Sequence, residues 1–137
     1  MTTLTNSGTI SGTAGDDNSY GVYLTGSYQG STTMTTLTNS GTISGTSGDD
    51  RSYGVYLYGN YHGSGTITTL TNSGTISGTA GDDNSYGVYL TGGYMGSATM
   101  TTLTNSGTIS GTSGDDRSYG VYLAGGYQGS TLSLIHI

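Results

Sequence analysis

Four Asp-Asp pairs hold every acidic side chain of this sequence: Asp16-Asp17, Asp49-Asp50, Asp82-Asp83 and Asp115-Asp116. Each pair follows a glycine in a loop-like "GDD" stretch. Clustered carboxylates repel one another unless the loops splay or a cation bridges them. Oxygen-rich loops suit calcium, so a calcium site at these eight residues is one reading. Calcium-binding nonapeptide repeats need tandem glycine-rich turns, whereas "GDD" recurs here only once in 33 residues. The competing reading is a solvated loop whose charges aid solubility and discourage end-to-end association. Arg51 and Arg117 fit that reading, each beside an acidic pair. No metal or other cofactor is assigned on balance.

Tyrosine supplies a second chemistry. Tyr23, Tyr56, Tyr89 and Tyr122 each sit between Val and Leu in "GVYL". If Val and Leu point inward, these rings point out. An aligned outward row can stack on sugar rings or on another protein; it can also stack on itself and stiffen a sheet. Threonine supplies a third pattern. Thr3 and Thr5, Thr36 and Thr38, Thr69 and Thr71, and Thr102 and Thr104 flank a leucine in each copy. Outward Thr-x-Thr ladders resemble the ice-binding faces of some β-solenoid proteins, although threonine is also common on any β surface. His62 has no partner at ligand spacing. Catalysis needs a unique constellation of different groups. Every candidate acid here recurs in every copy, and no Glu, Lys or Cys is present. The chain is therefore read as non-enzymatic.

These groups are positioned by a repeat. Its period is 33 without insertion or deletion, in copies 2–34, 35–67, 68–100 and 101–133. Each copy opens "TTLTNSGTISGT" and continues through "GDD" to "SYGVYL". A doubled period of 66 is superimposed: Asn18 and Asn84 alternate with Arg51 and Arg117, and "TAG" alternates with "TSG". Variation between copies collects further on, at Thr25, Tyr58, Thr91 and Ala124, and at Gln29, His62, Met95 and Gln128. Loops on a fixed scaffold tolerate such change, and neutral drift accounts for it.

The pattern breaks at the end. Residues 132–137 read "LSLIHI" where the repeat requires another threonine-rich opening. They look like the in-frame translation of a sequencing-library transposase end and are read as adapter read-through. Residues 1–131 then form the four-repeat fragment. Met1 occupies the repeat position of Met34, Ile67 and Met100, so the fragment is expected to be internal to a longer repetitive protein. That expectation also accounts for the lack of a basic start leading into an apolar stretch.

Composition narrows the partners. Two basic residues stand against eight acidic ones, for a net charge of -6. A nucleic-acid surface needs clustered Lys and Arg, and an anionic membrane surface needs the same. No apolar run is long enough to insert into a bilayer. Low hydrophobicity with much Gly and Ser can signal disorder, but the apolar residues recur at fixed positions.

Those positions imply strands. Leu4 and Ile10 share one parity and Thr3, Thr5, Thr9 and Ser11 the other, while Val22 and Leu24 alternate with Tyr23. Period-two alternation marks strands with one buried face. Frequent Gly and β-branched Thr disfavour helix. About three short strands are expected per copy, roughly 2–5, 9–12 and 20–25, with "NSG", "GTAGDDNS" and "GSYQGS" as turns or loops. Tyr28, Tyr61, Tyr94 and Tyr127 fall in the last of these. One copy has too few aliphatic residues, Leu4, Ile10, Val22, Leu24 and Met34, to bury them alone. Stacked copies can, with each strand about 4.8 Å from its equivalent. The fold class is thus an all-β, right-handed parallel β-solenoid with one coil per 33-residue repeat. Two smaller coils per repeat is the competing arrangement. Asn6, Asn39, Asn72 and Asn105 should form a ladder at one corner, with Gly8 and its equivalents at positive φ.

"LTNSGTISG" followed after a loop by "YGVYL" resembles the β-helical passenger repeats of Gram-negative autotransporters and related surface adhesins. The resemblance runs through all four copies to residue 131. It implies a secreted β-solenoid stalk on the bacterial outer-membrane surface. It implies as partner a glycan or protein of a host or neighbouring cell, or self-association. It supplies no catalytic residues. No autochaperone segment or translocator β-barrel lies within these residues.

Overall fold

The computed structural model describes residues 2–30, 35–63, 66–95, 99–128 and 131–136. The described residues form strands and tight bends, with no helix. The first copy gives β1 (Thr2–Asn6), β2 (Thr9–Ala14) and β3 (Ser19–Gly30), and the second gives β4 (Thr35–Asn39), β5 (Thr42–Ser47) and β6 (Ser52–Gly63). The third gives β7 (Thr66–Asn72), β8 (Thr75–Ala80) and β9 (Ser85–Met95). The fourth gives β10 (Thr99–Asn105), β11 (Thr108–Ser113) and β12 (Ser118–Gln128), and β13 (Thr131–His136) follows.

Each strand pairs with its equivalent one copy away. Sheet A runs β1-β4-β7-β10-β13, sheet B β2-β5-β8-β11 and sheet C β3-β6-β9-β12. All pairings are parallel, and from β1 to β12 they keep the 33-residue register: Leu4 lies over Leu37, Leu37 over Leu70 and Leu70 over Leu103. This is a parallel β-solenoid with one coil per repeat. Register slips only at the end. There β13 sets Thr131 beside Thr99 and Leu134 beside Leu103, not the residues 33 further on. The departure from the repeat in sequence is a departure from register in space.

The interior is built from rows contributed by all three sheets. Leu37, Ile43, Leu70, Ile76, Val55 and Val88 are fully enclosed, because each has a like residue above and below. Leu4, Ile10 and Leu24 in the first coil, and Ile109, Val121 and Leu123 in the fourth, are only partly covered. The Met34 position expected in this interior lies outside the described residues.

The first corner is held by the asparagine ladder. Asn39 Nδ2 donates to Asn72 Oδ1 at 2.8 Å, to the Thr75 carbonyl at 3.0 Å and to the Gly41 carbonyl at 3.1 Å. The same bonds recur from Asn6 and from Asn72. The adjoining glycines are not at positive φ, contrary to the sequence expectation; among the described residues Gly63, Gly92 and Gly125 are. Coil-to-coil approach is what demands glycine at this corner. A methyl group on Gly41 would collide with the Gly8 carbonyl oxygen.

The third strand is longer than the alternation 20–25 suggests, since β3 and β6 reach Gly30 and Gly63. The backbone of Tyr28, Tyr61, Tyr94 and Tyr127 is therefore in sheet C, stacked in register, rather than in a loop. Their side chains lie outside the described residues. A second feature of this strand is a row of buried hydroxyls. Ser19, Ser52 and Ser85 are buried, and their Oγ atoms have no hydrogen-bond partner among the described residues. An unsatisfied buried hydroxyl costs about 1–3 kcal/mol. Ser52→Ala should therefore raise stability by about that amount, read as a higher midpoint in urea unfolding. A lower midpoint would show that the hydroxyl is satisfied.

Candidate functional site

Sheet C carries an aromatic face. The parallel register puts Tyr23, Tyr56, Tyr89 and Tyr122 in one row. Successive rings stack with centroids 5.1, 5.1 and 5.2 Å apart and planes within 15°. Tyr23 is 50 % exposed, and the other three rings are half-buried. The outward placement expected from "GVYL" is what the strand provides. Tyr58, at one of the variable positions, adds a further ring that is 45 % exposed.

A second row was not anticipated. Tyr20, Tyr53, Tyr86 and Tyr119 stack at 5.0, 5.0 and 5.2 Å. Plain alternation assigns Tyr20 to the side of Val22 and Leu24. Yet its ring meets Tyr23 edge-on at 5.0 Å, so both rows share the outer side of the sheet. Gly21 lies between them, and its equivalents are squeezed between coils. A methyl group on Gly54 would sit 2.6 Å from the Gly87 carbonyl oxygen and 2.7 Å from Ile76 Cγ2. The backbone shifts phase at this glycine, and the ladder pairing passes from Tyr20 to Val22. "YG" ahead of "VYL" is the only sequence signal of that shift. The two rows interlock edge-to-face, Tyr53 with Tyr56 at 4.9 Å and Tyr86 with Tyr89 at 4.8 Å. Edge-to-face and offset contacts suit the aromatic quadrupole. Packing leaves Tyr53 and Tyr86 almost covered.

Burial pushes the phenols of Tyr20, Tyr53, Tyr56 and Tyr86 above their ordinary value of 10.0. For Tyr53 and Tyr86 the Arg51 charge acts in the opposite direction without prevailing. The fold favours the neutral phenol, so this stability is complete below the unfolded value and is lost as pH rises through the higher folded ones. The melting temperature should stay level to about pH 9 and fall above about pH 10, with tyrosinate absorbance rising in the same transition. Ionisation at the ordinary value with the sheet intact would contradict this.

The acidic loops lie at one end of sheet B. Asp16, Asp17, Asp49, Asp82, Asp115 and Asp116 are exposed, and Asp50 and Asp83 are half-exposed. Among the described residues no three His, Cys, Asp or Glu groups converge as a metal site. The loops are instead stitched to neighbouring coils in two alternating ways. Ser47 Oγ donates to the Asp17 carbonyl at 2.8 Å, and Ser113 Oγ to the Asp83 carbonyl at 2.7 Å. Between the second and third coils Arg51 Nε reaches Asp83 Oδ2 at 3.4 Å. Asn84 stands in the same relation to Asp116, with Nδ2 at 3.3 Å from Oδ2. The doubled period thus has a physical basis: "TAG"/"TSG" and Asn/Arg alternate because successive junctions use different stitches. The Asp83 carboxyl is held below its ordinary value, chiefly by the Asn84 backbone N–H at 2.6 Å and further by the Asn84 amide and the Arg51 charge.

Sheet A brings the threonines into register, Thr3-Thr36-Thr69-Thr102 and Thr5-Thr38-Thr71-Thr104. Thr3, Thr5 and Thr71 are exposed, and Thr36, Thr38, Thr69 and Thr104 are half-buried. The Thr102 side chain lies outside the described residues. His62 is exposed and its backbone pairs with Gln29 and Met95.

Two stacked phenol rows on a rigid sheet offer π-faces, ring edges and hydroxyls at a constant spacing. Such a surface can engage flat apolar faces that also carry hydrogen-bonding groups. Compared with protein-family models, with curated proteins and with solved structures, the chain matches none.

Proposed function

We propose that this chain is a stalk or adhesive segment of a bacterial cell-surface or secreted adhesin, without enzymatic activity. The observation that carries the reading is the double tyrosine row, an aromatic face on a stiff and otherwise chemically uniform rod. Its partner is a glycan or protein of a host or neighbouring cell, met by ring stacking on Tyr23, Tyr56, Tyr89 and Tyr122. The autotransporter-like passenger repeats agree with a location on the outer-membrane surface. In-register threonines on sheet A favour one second reading, an ice-binding face.

Both readings are tested on the same protein. Retention on immobilised cell-surface polysaccharide and on whole cells is compared with that of Tyr56→Ser/Tyr89→Ser. Loss of two stacked rings should weaken binding about tenfold or more. Retention unchanged by the double substitution would remove the adhesive reading. Thermal hysteresis that falls in Thr36→Tyr/Thr69→Tyr would put the ice-binding reading in its place.

A further inference from the structure

The contact between coils is one surface used repeatedly, and both of its halves are presented at the ends of the described solenoid. In each internal junction the later coil donates and the earlier accepts: Thr42 N–H to the Gly8 carbonyl, Thr75 N–H to Gly41 and Thr108 N–H to Gly74, at 2.8, 2.9 and 2.8 Å. The matching donor in the first coil is Thr9, and the matching acceptor in the fourth is Gly107. Leu4, Ile10 and Leu24 at one end, and Ile109, Val121 and Leu123 at the other, are the partly covered members of rows that are sealed inside.

We propose that the first-coil end of one copy docks on the fourth-coil end of a second copy, continuing the ladder head to tail. Two observations select this occupant. The first is charge. Arg51 pairs with the Asp83 carboxylate of the following coil, and Arg117 is its equivalent in the fourth coil. In the docked pair Arg117 meets Asp17 of the partner copy by the same relation. Alternation of Asn and Arg then continues unbroken across the joint. Acidic loops do not bar the contact, since they already stack on one another within the chain. The second is space. A methyl group on Gly41, Gly74 or Gly107 would collide with the preceding coil, and so would one on Gly48, Gly81 or Gly114. Built on Gly8 or Gly15 it meets nothing within 4 Å. Those two positions keep the residue that a preceding coil requires.

On sheet A the incoming β1 takes the place of β13. The exchange favours β1, whose five pairs with β4 show the unshifted register, whereas β13 lies out of step with β10. This inference is independent of what the tyrosine face binds.

The test is sedimentation velocity of the 137-residue chain over a wide concentration range. Oligomers growing with concentration are expected. Gly8→Val should remain monomeric with an unchanged melting temperature, because the side chain has room in the single copy and none in the joint. Arg117→Asp and Asp17→Arg should each associate about tenfold more weakly than the parent. Their equimolar mixture should form dimers and stop there, since only one of the two joints is then complementary. A parent chain that stays monomeric throughout, a folded Gly8→Val that assembles like the parent, or a mixture no different from its components would each overturn the proposal.

Discussion

Asn39→Asp should leave the chain unfolded at neutral pH. Asn39 is fully buried, and its amide donates to Asn72 Oδ1 and to the carbonyls of Gly41 and Thr75. A carboxylate of the same shape donates to none of them and sets a buried charge against three oxygens. An unpaired buried charge costs about 3–5 kcal/mol, a large share of the 5–15 kcal/mol of a typical domain. Burial would raise the new carboxyl above its unfolded value of about 3.9. The lost stability should therefore return as pH falls toward that value and disappear again as pH rises. Recovery will be partial, because a protonated carboxyl has one donor where the amide has two. Circular dichroism at pH 7 and pH 3 reads the effect; melting like the parent at both would mean that the ladder does not hold the corner.

Leu70→Ala should cost about 2–5 kcal/mol, and Leu4→Ala only about 1 kcal/mol. The two residues occupy the same repeat position. Leu70 is enclosed by Leu37 and Leu103; Leu4 has a described neighbour on one side only and is partly covered. The contrast isolates stacking from residue type, and urea midpoints of the two variants measure it. Equal costs would mean that burial comes from within each copy rather than from between copies.

Much of this architecture was legible in the residues. A strict period fixes which residues stack, and parity places Leu37, Ile43 and Val55 inside and Tyr23 outside. Asparagine at the first corner has one use in a parallel stack, hydrogen bonding along the axis. What escaped the reading lies where parity or local turn chemistry is a poor guide. Gly21 shifts the phase of its strand, so Tyr20 joins Tyr23 on the outer face although its numbering sides with Val22. Glycine and serine after Leu24 signal a loop locally, but pairing with equivalent residues in the next coil keeps them in β3. Gly41 was expected to meet a turn requirement, and its constraint is the Gly8 carbonyl of another coil. Each miss has the same origin: contact between residues 33 apart overrides what neighbours in sequence suggest.

No cysteine occurs in the chain, so its coil spacing can be probed with an engineered pair. Thr46 and Thr79 are exposed and paired across β5 and β8. At about 4.8 Å their Cα atoms fall within disulfide reach, whereas Thr112, one coil further, lies at roughly twice that distance from Thr46. Oxidation of Thr46→Cys/Thr79→Cys should close an intramolecular disulfide with the circular dichroism unchanged, and Thr46→Cys/Thr112→Cys should stay reduced. Equal closure in both pairs, or closure only in the second, would contradict a solenoid in which every residue lies against its equivalent one repeat away.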